Sequence, residues 1–242
     1  MHSSLTRRTF LHFTGYGAFG AATGAAASAV VPAPSHASSA ATTELTPDQA
    51  LALLKEGNRA FSEGRPTRPA QDRARRQEIA RGQAPFAVLV TCSDSRVAPE
   101  LLFDRGLGEL FIVRNAGNTI DTVAMGSIEY AVAHLGVPLI VVLGHERCGA
   151  VQAAIEVVKH NADLPGSIGQ MVEPIIPAVL KSQDEPGDPV DNAVRENVRR
   201  TVTHLRTSAE PMLLQPQQAG KLRVVGASYD LDNGAVDFFL ET

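Results

Sequence analysis

The chain of 242 residues carries 22 basic and 26 acidic side chains, and its composition is that of a globular protein, not a fibrous or disordered one. The net charge is −4, and it becomes −6 without residues 1–37, which contain two arginines and no acidic residue. This balance argues against a nucleic-acid binder, which needs clustered positive charge. Residues 42–242 suffice for a single α/β domain with a sizeable core.

Residues 1–41 are predicted to be a signal peptide and a short linker. The stretch from Thr6 reads Thr-Arg-Arg-Thr-Phe-Leu-His and resembles the twin-arginine export motif, with His12 where Lys is more usual. A weakly apolar, Gly- and Ala-rich stretch follows, and Ala37 ends a small-residue cleavage site. We therefore expect a protein exported by the twin-arginine machinery to a periplasmic or extracellular location.

Two alternatives to that export route remain open. One is an ordinary signal peptide that happens to contain Arg7 and Arg8. The other is an uncleaved membrane anchor, which the high Gly, Ala and Ser content disfavours. We expect no stable membrane insertion once the signal has been removed.

The rest of the chain predicts alternating strands and helices. Thr46 and Pro47 open a helix as N-cap and first helical residue. A polar connection runs to about Gln83, and the arginines within it suggest the solvated face of a helix. Four continuous apolar runs are typical of strands buried on both faces, at Phe86–Cys92, Leu110–Arg114, Leu139–Gly144 and Leu222–Ala227. Helical patterns lie between them, at Thr122–His134, Ala150–Lys159 and Val190–Leu205.

A final segment, Gly234–Leu240, follows a turn signal and predicts an antiparallel edge strand. The fold class is therefore α/β, with a mainly parallel central sheet covered by helices. In such sheets, sites form beyond the carboxyl ends of the strands.

The two cysteines of the chain lie at such strand ends. Cys92 ends the first predicted strand, and Cys148 follows His145 by three residues after the third. Thiolate and imidazole are ligands that Zn²⁺ prefers, and three protein ligands leave a fourth position open for catalysis. By spacing alone the pattern is weak, since the cysteines can also be plain core residues or form a disulfide.

Four motifs together resemble the β-carbonic anhydrase family over roughly residues 45–240. They are Cys-Ser-Asp-Ser-Arg from Cys92, Val-Arg-Asn-Ala-Gly-Asn from Val113, Gly-Ser-Ile-Glu-Tyr-Ala from Gly126, and Gly-His-Glu-Arg-Cys-Gly from Gly144. The resemblance implies reversible hydration of carbon dioxide to bicarbonate and a proton, by attack of zinc-bound hydroxide. Zinc lowers the pKa of its bound water to about 7, as it does in a carbonic anhydrase that binds the metal with three histidines.

The resemblance also implies roles for individual residues. Zinc, one ion per chain, would be bound by Cys92, His145 and Cys148. Asp94 would accept a hydrogen bond from the hydroxide while Arg96 holds Asp94 ionised. The substrate pocket would include Gln83, Phe111, Tyr130 and Gly149, and some family members build this pocket across a dimer interface.

Further expectations follow from the same resemblance. We expect a homodimer or a higher homo-oligomer. A bicarbonate-inhibited subgroup usually has Trp three residues before its first cysteine, and Leu89 occupies that position here. The chain therefore resembles the open subgroup, in which Asp94 contacts Arg96 and not the metal. Two rival functions remain at this point: hydrolysis of carbon disulfide or carbonyl sulfide, and non-catalytic binding of zinc or bicarbonate.

Overall fold

The computed structural model describes residues 42–241, so the predicted signal peptide and its cleavage site lie outside the described residues. Within this range the strands are β1 (Ala87–Cys92), β2 (Leu110–Asn115), β3 (Leu139–His145), β4 (Arg223–Tyr229) and β5 (Val236–Leu240). They form one sheet in the order β2-β1-β3-β4-β5. Strands β1 to β4 are parallel, and β5 is antiparallel to β4. The predicted fold class is confirmed.

The helices of the described residues cover both faces of this sheet. They are α1 (Pro47–Ser62), α2 (Arg73–Ile79), α3 (Pro99–Leu102), α4 (Thr122–Leu135), α5 (Gly149–His160), α6 (Ile168–Val172), α7 (Ile176–Ser182), α8 (Pro189–Arg206) and α9 (Pro211–Gln218). None of them is long and apolar enough to cross a bilayer.

Side chains alternate between the two faces of the sheet, and each face has its own apolar core. One face packs on α4, α8 and α9 through Val88, Val90, Ile140, Val142, Ile128, Val198 and Leu213. The other packs on α1 and α3 through Leu89, Val141, Leu143, Val225, Leu54 and Leu102. Burial on both faces explains why the parallel strands are continuous apolar runs in the sequence.

Local signals set the helix ends. Thr46 caps α1 in a reciprocal capping box with Gln49, and Pro47 occupies the first turn. The side chain of Asp188 caps α8 by accepting from the amides of Val190 and Asp191. The arginine-rich stretch forms α2, which has no buried residue, in agreement with a solvated face.

Several short elements are not predicted by the sequence pattern. Helices α3, α6, α7 and α9 have four to eight residues, too few for a clear hydrophobic period. Strand β5 begins at Val236, two residues later than expected, because the turn that reverses the chain extends to Ala235. Strand β4 begins at Arg223 and continues to Tyr229.

Candidate metal centre

The three predicted metal ligands come from two neighbouring strands and the helix that follows the second. Cys92 is the last residue of β1 and His145 the last of β3. These strands pair in parallel, with Thr91 beside Leu143, so both ends meet at the carboxyl edge of the sheet. Cys148 is the N-cap of α5, three residues after His145. Sheet pairing and one tight turn therefore bring all three side chains together.

The donor atoms of these three residues lie within 4.8 Å of one another. Their side chains are buried, with Cys92 5%, His145 0% and Cys148 1% exposed. The two Sγ atoms are 4.0 Å apart and both thiols are free. A disulfide requires about 2.05 Å, whereas two sulfurs on tetrahedral zinc, each about 2.3 Å from the metal, lie about 3.8 Å apart. The spacing fits a shared metal.

The imidazole of His145 is oriented for metal binding. Its Nδ1 lies 2.8 Å from the carbonyl oxygen of Glu146, which fixes Nδ1 as the protonated nitrogen. Its Nε2 is buried and has no hydrogen-bond partner among the described residues. A buried nitrogen lone pair without a partner is unfavourable unless something binds it, and a metal between the two sulfurs would do so.

The two thiols cannot easily both ionise without a cation. The hydrogen bond from Cys148, with smaller effects of His145 and the Gly117 amide, lowers the pKa of Cys92. The hydrogen bond with Cys92, together with burial, raises the pKa of Cys148. Two thiolates 4.0 Å apart repel each other in a buried site, so both cysteines ionise only when a cation lies beside them. The donor chemistry fits zinc, which binds thiolate and imidazole.

Asp94 lies next to this donor set and is held by Arg96. Arg96 donates from Nε to Oδ1 at 2.9 Å and from Nη2 to Oδ2 at 2.7 Å. Its backbone amide also donates to Oδ1. These hydrogen bonds hold the pKa of Asp94 well below its usual range. Asp94 Oδ2 is 3.9 Å from His145 Nε2, so an ionised carboxylate faces the position that a metal would occupy.

Arg114 has a structural role that the sequence reasoning did not assign. From β2, its Nε donates to the carbonyl oxygen of Cys92 at 2.9 Å, and its Nη2 to that of Asp94 at 2.8 Å. The guanidinium therefore holds the turn between the predicted metal ligand Cys92 and the predicted catalytic residue Asp94. The available signal was the Val-Arg-Asn-Ala-Gly-Asn motif, which contains Arg114 but names no partner for its side chain.

The predicted substrate residues lie apart from the donor set within one chain. Strand pairing places Phe111 beside Val88, four residues before Cys92, which corresponds to about 13 Å along the sheet. The ring of Phe111 contacts that of Tyr130 on α4, with centroids 6.4 Å apart. Gln83 is exposed before β1, at the opposite end of this strand from Cys92.

Gly149 is the one predicted substrate residue that adjoins a metal ligand. It is exposed at the first turn of α5, directly after Cys148. A side chain built at this position would meet no atom within 4 Å, so the space above the helix end is open.

A second cluster of potential ligands, Glu146, Asp230 and Asp232, lies nearby on the surface. Arg147 donates to both carboxylate oxygens of Asp232, at 2.8 and 2.9 Å, and lies 3.6 Å from Glu146. Arg147 therefore offsets one of the three negative charges of this cluster.

Comparison with known proteins agrees with the geometry of the buried site. A family model described as carbonic anhydrase matches residues 87–236. The chain belongs to the carbonic anhydrase family. It is 46% identical over 191 residues to carbonic anhydrase 2 of Mycobacterium tuberculosis, a match that covers 78% of this chain and 90% of the relative.

Solved structures place this carbonic anhydrase in the β class. A Coccomyxa β-carbonic anhydrase in complex with acetazolamide is 29% identical, with a TM-score of 0.61 over 78% of this chain and 86% of that one. One of two tetrameric β-carbonic anhydrases from Sordaria macrospora is 26% identical, with a TM-score of 0.61 over 67% of this chain and 84% of that one.

Removal of one thiol tests the donor set. We expect Cys148→Ala to lower zinc affinity by more than about a hundredfold, beyond the 10–100-fold typical of residues that only contact a ligand. The stabilisation of the fold by added zinc should disappear with it, because metal-binding energy is partly folding energy. Zinc content by elemental analysis and thermal unfolding with and without zinc measure both effects. His160→Ala on the same helix is the control, and full zinc occupancy of Cys148→Ala contradicts the assignment.

Proposed function

We propose that this protein catalyses the reversible hydration of carbon dioxide to bicarbonate and a proton, using one zinc ion bound by Cys92, His145 and Cys148. The observation that carries the proposal is the buried donor set with an unpartnered His145 Nε2, facing a carboxylate held by an arginine. Membership of the carbonic anhydrase family supports the same reaction.

Zinc at this site would supply a Lewis acid that makes a coordinated water molecule acidic near neutral pH. The remaining steps depend on the residues of the chain. Asp94 is ionised at neutral pH, and the hydrogen bonds from Arg96 hold its pKa well below the usual range against the opposing effect of burial, so it accepts hydrogen bonds and does not donate them. Its Oδ2 lies 3.9 Å from His145 Nε2 and could accept a hydrogen bond from the hydroxyl group that attacks carbon dioxide. That hydrogen bond leaves a lone pair of the same oxygen free to attack the carbon of carbon dioxide.

Arg96 fixes this acceptor in position. Two parallel N–H···O contacts fix the plane of the Asp94 carboxylate, which a single contact would leave free to rotate. The Arg96 side chain is 50% exposed, so the pair owes its value to orientation and only slightly to stability. Binding zinc alone does not require a carboxylate held in this orientation, which disfavours the alternative of non-catalytic zinc binding.

We also propose that the protein is a homo-oligomer, at least a dimer, and that the substrate pocket joins two chains. Phe111 lies four strand positions from Cys92, Tyr130 contacts Phe111, and Gln83 precedes the far end of β1, so none of the three adjoins the donor set of its own chain. Tyr130 is 47% exposed beside Phe111, on the side of the edge strand β2. A two-fold arrangement would place these side chains at the metal centre of the second chain. The tetrameric β-carbonic anhydrase of Sordaria macrospora supports oligomerisation.

Export of the folded, zinc-loaded enzyme is the third part of the proposal. Two cysteines that must both remain metal ligands would risk oxidation if the chain reached an oxidising compartment unfolded. Folding before export would let zinc protect them. The paired Arg7 and Arg8 of the predicted signal peptide suit a route for folded proteins.

The role of Asp94 has a direct test. Asp94→Asn should retain zinc and lose about 10–100-fold in carbon dioxide hydration, because a neutral amide offers a weaker and ambiguous acceptor. Arg96→Ala should cause a similar loss by releasing Asp94. Asp48→Asn, which alters an exposed carboxylate 2.6 Å from Arg223, is the control. Stopped-flow hydration assays on protein of known zinc content make the comparison, and parental rates in both Asp94→Asn and Arg96→Ala would exclude the role.

Mixed oligomers test the shared pocket. One chain carries Asp94→Asn, and the other carries Gln83→Ala with Tyr130→Ala. Each variant alone should be weakly active. When the two chains combine at random in equal amounts, half of the dimers contain both variants, and each such dimer has one intact site. The mixture should therefore recover about a quarter of parental activity. The assay is hydration after co-expression in equal amounts, without selection for mixed dimers; purification through a different tag on each chain would isolate the mixed dimers and raise the expected activity to about half. If mixing gives no more than the average of the two parents, the pocket lies within one chain.

The export route is tested by replacing Arg7 and Arg8 together with Lys. We expect active, zinc-bound enzyme to accumulate inside the cell, because a route for folded proteins would no longer recognise it. Fractionation with activity and zinc assays locates the protein, and the parental signal is the reference. Efficient export of active double variant would mean that an ordinary signal suffices.

A further inference from the structure

Asn197 is a buried amide in the middle of α8 that the reaction proposed above does not use. It is 3% exposed. Its Nδ2 donates to the carbonyl oxygen of Gly117 at 2.8 Å, across 80 positions of sequence. A buried side-chain hydrogen bond to the backbone of a remote loop fixes the position of that loop.

The loop held by Asn197 supports a metal ligand. The amide of Gly117 donates to Cys92 Sγ at 3.4 Å. Gly117 has a φ of +77°, and a Cβ there would lie 2.5 Å from the Cδ1 atom of Ile175. The next residue, Asn118, also has positive φ, at 45°. Glycine adopts left-handed backbone freely, whereas a non-glycine residue such as Asn118 is held there by surrounding contacts. Asn197 provides one of those contacts.

Helix α8 also supports a second ligand-bearing segment. Gly144 directly precedes His145, and a Cβ at Gly144 would lie 2.8 Å from both Val194 and Val198 of α8. One face of the helix therefore touches β3 immediately before His145. One turn of α8 thus adjoins both the end of β3, which carries His145, and the loop whose amide donates to Cys92.

We propose that Asn197 is a positioning residue of the metal centre: by holding the carbonyl of Gly117 it directs the Gly117 amide to the sulfur of Cys92. The amide then stabilises the thiolate, because hydrogen bonds to charged acceptors are stronger than neutral ones. Without Asn197 the loop loses a fixed point and the amide leaves the sulfur. Outer contacts of this kind are worth about 10–100-fold in metal affinity. The inference depends on the zinc centre proposed above.

The experiment compares Asn197→Ala with Ser182→Ala. Ser182 is also buried, and its Oγ donates to the carbonyl of Ala178 at 2.9 Å, so its removal breaks a buried hydrogen bond without touching the loop. We expect Asn197→Ala to lower zinc affinity about tenfold in competition with a chelator. The thiolate-to-metal charge-transfer band of the cobalt-substituted protein should shift as well. Ser182→Ala should leave both unchanged.

Equal zinc affinity and equal cobalt spectra in the two variants would overturn the inference. If Asn197→Ala does not fold, NMR of the cadmium-substituted parental protein decides the question. Scalar coupling should appear between the metal and the Gly117 amide proton, and also across the hydrogen bond from Asn197 Nδ2 to the Gly117 carbonyl. Absence of either coupling rejects the proposal. A parental protein that binds no zinc would reject the metal centre itself, which is a different result.

Discussion

The parallel pairing of β1 with β3 is the constraint on which the metal centre depends. It places Cys92 at the end of one strand beside His145 at the end of the next, although more than fifty residues separate them in the chain. Register matters as much as adjacency, because a slip by one residue would turn Cys92 to the other face of the sheet. The apolar side chains buried on both faces hold the register. The core therefore determines where the donors lie.

Charge is the second condition that the surrounding structure meets. Two buried thiolates side by side are unfavourable unless a cation neutralises them. The structure prepares the site for one: Glu146 fixes the protonated nitrogen of His145, and the Gly117 amide donates to Cys92. Asp94, also anionic, is balanced by Arg96. Some groups at the metal centre are thus predicted ligands, and others hold those ligands in orientation by hydrogen bonds.

Strand and helix periodicity predicted most of this fold, since the parallel strands are buried apolar runs and the longer helices carry caps. Short helices such as α3 and α7 were not predicted, because one or two turns are too short to show a hydrophobic period. Motif spacing indicated the three ligands, Asp94 and Arg96. It did not indicate the hydrogen-bonding roles of Arg114 and Asn197, because their partners are backbone carbonyls that they reach only in the folded chain. Nor did it reveal the separation of Phe111 from the metal centre, which follows from strand register.

Burial of the donors also governs how fast a metal can exchange. The three donor side chains are at most 5% exposed, so a chelator or competing ion reaches them only through the open space at Gly149 or by local opening of the chain. Cys92 and Cys148 share one apolar cluster with residues of α5, and opening that cluster breaks buried contacts. Metal exchange at this centre should therefore be slower than at an exposed site of equal affinity. An affinity measured before equilibrium would then report how fast the chain opens and not how tightly it holds the ion.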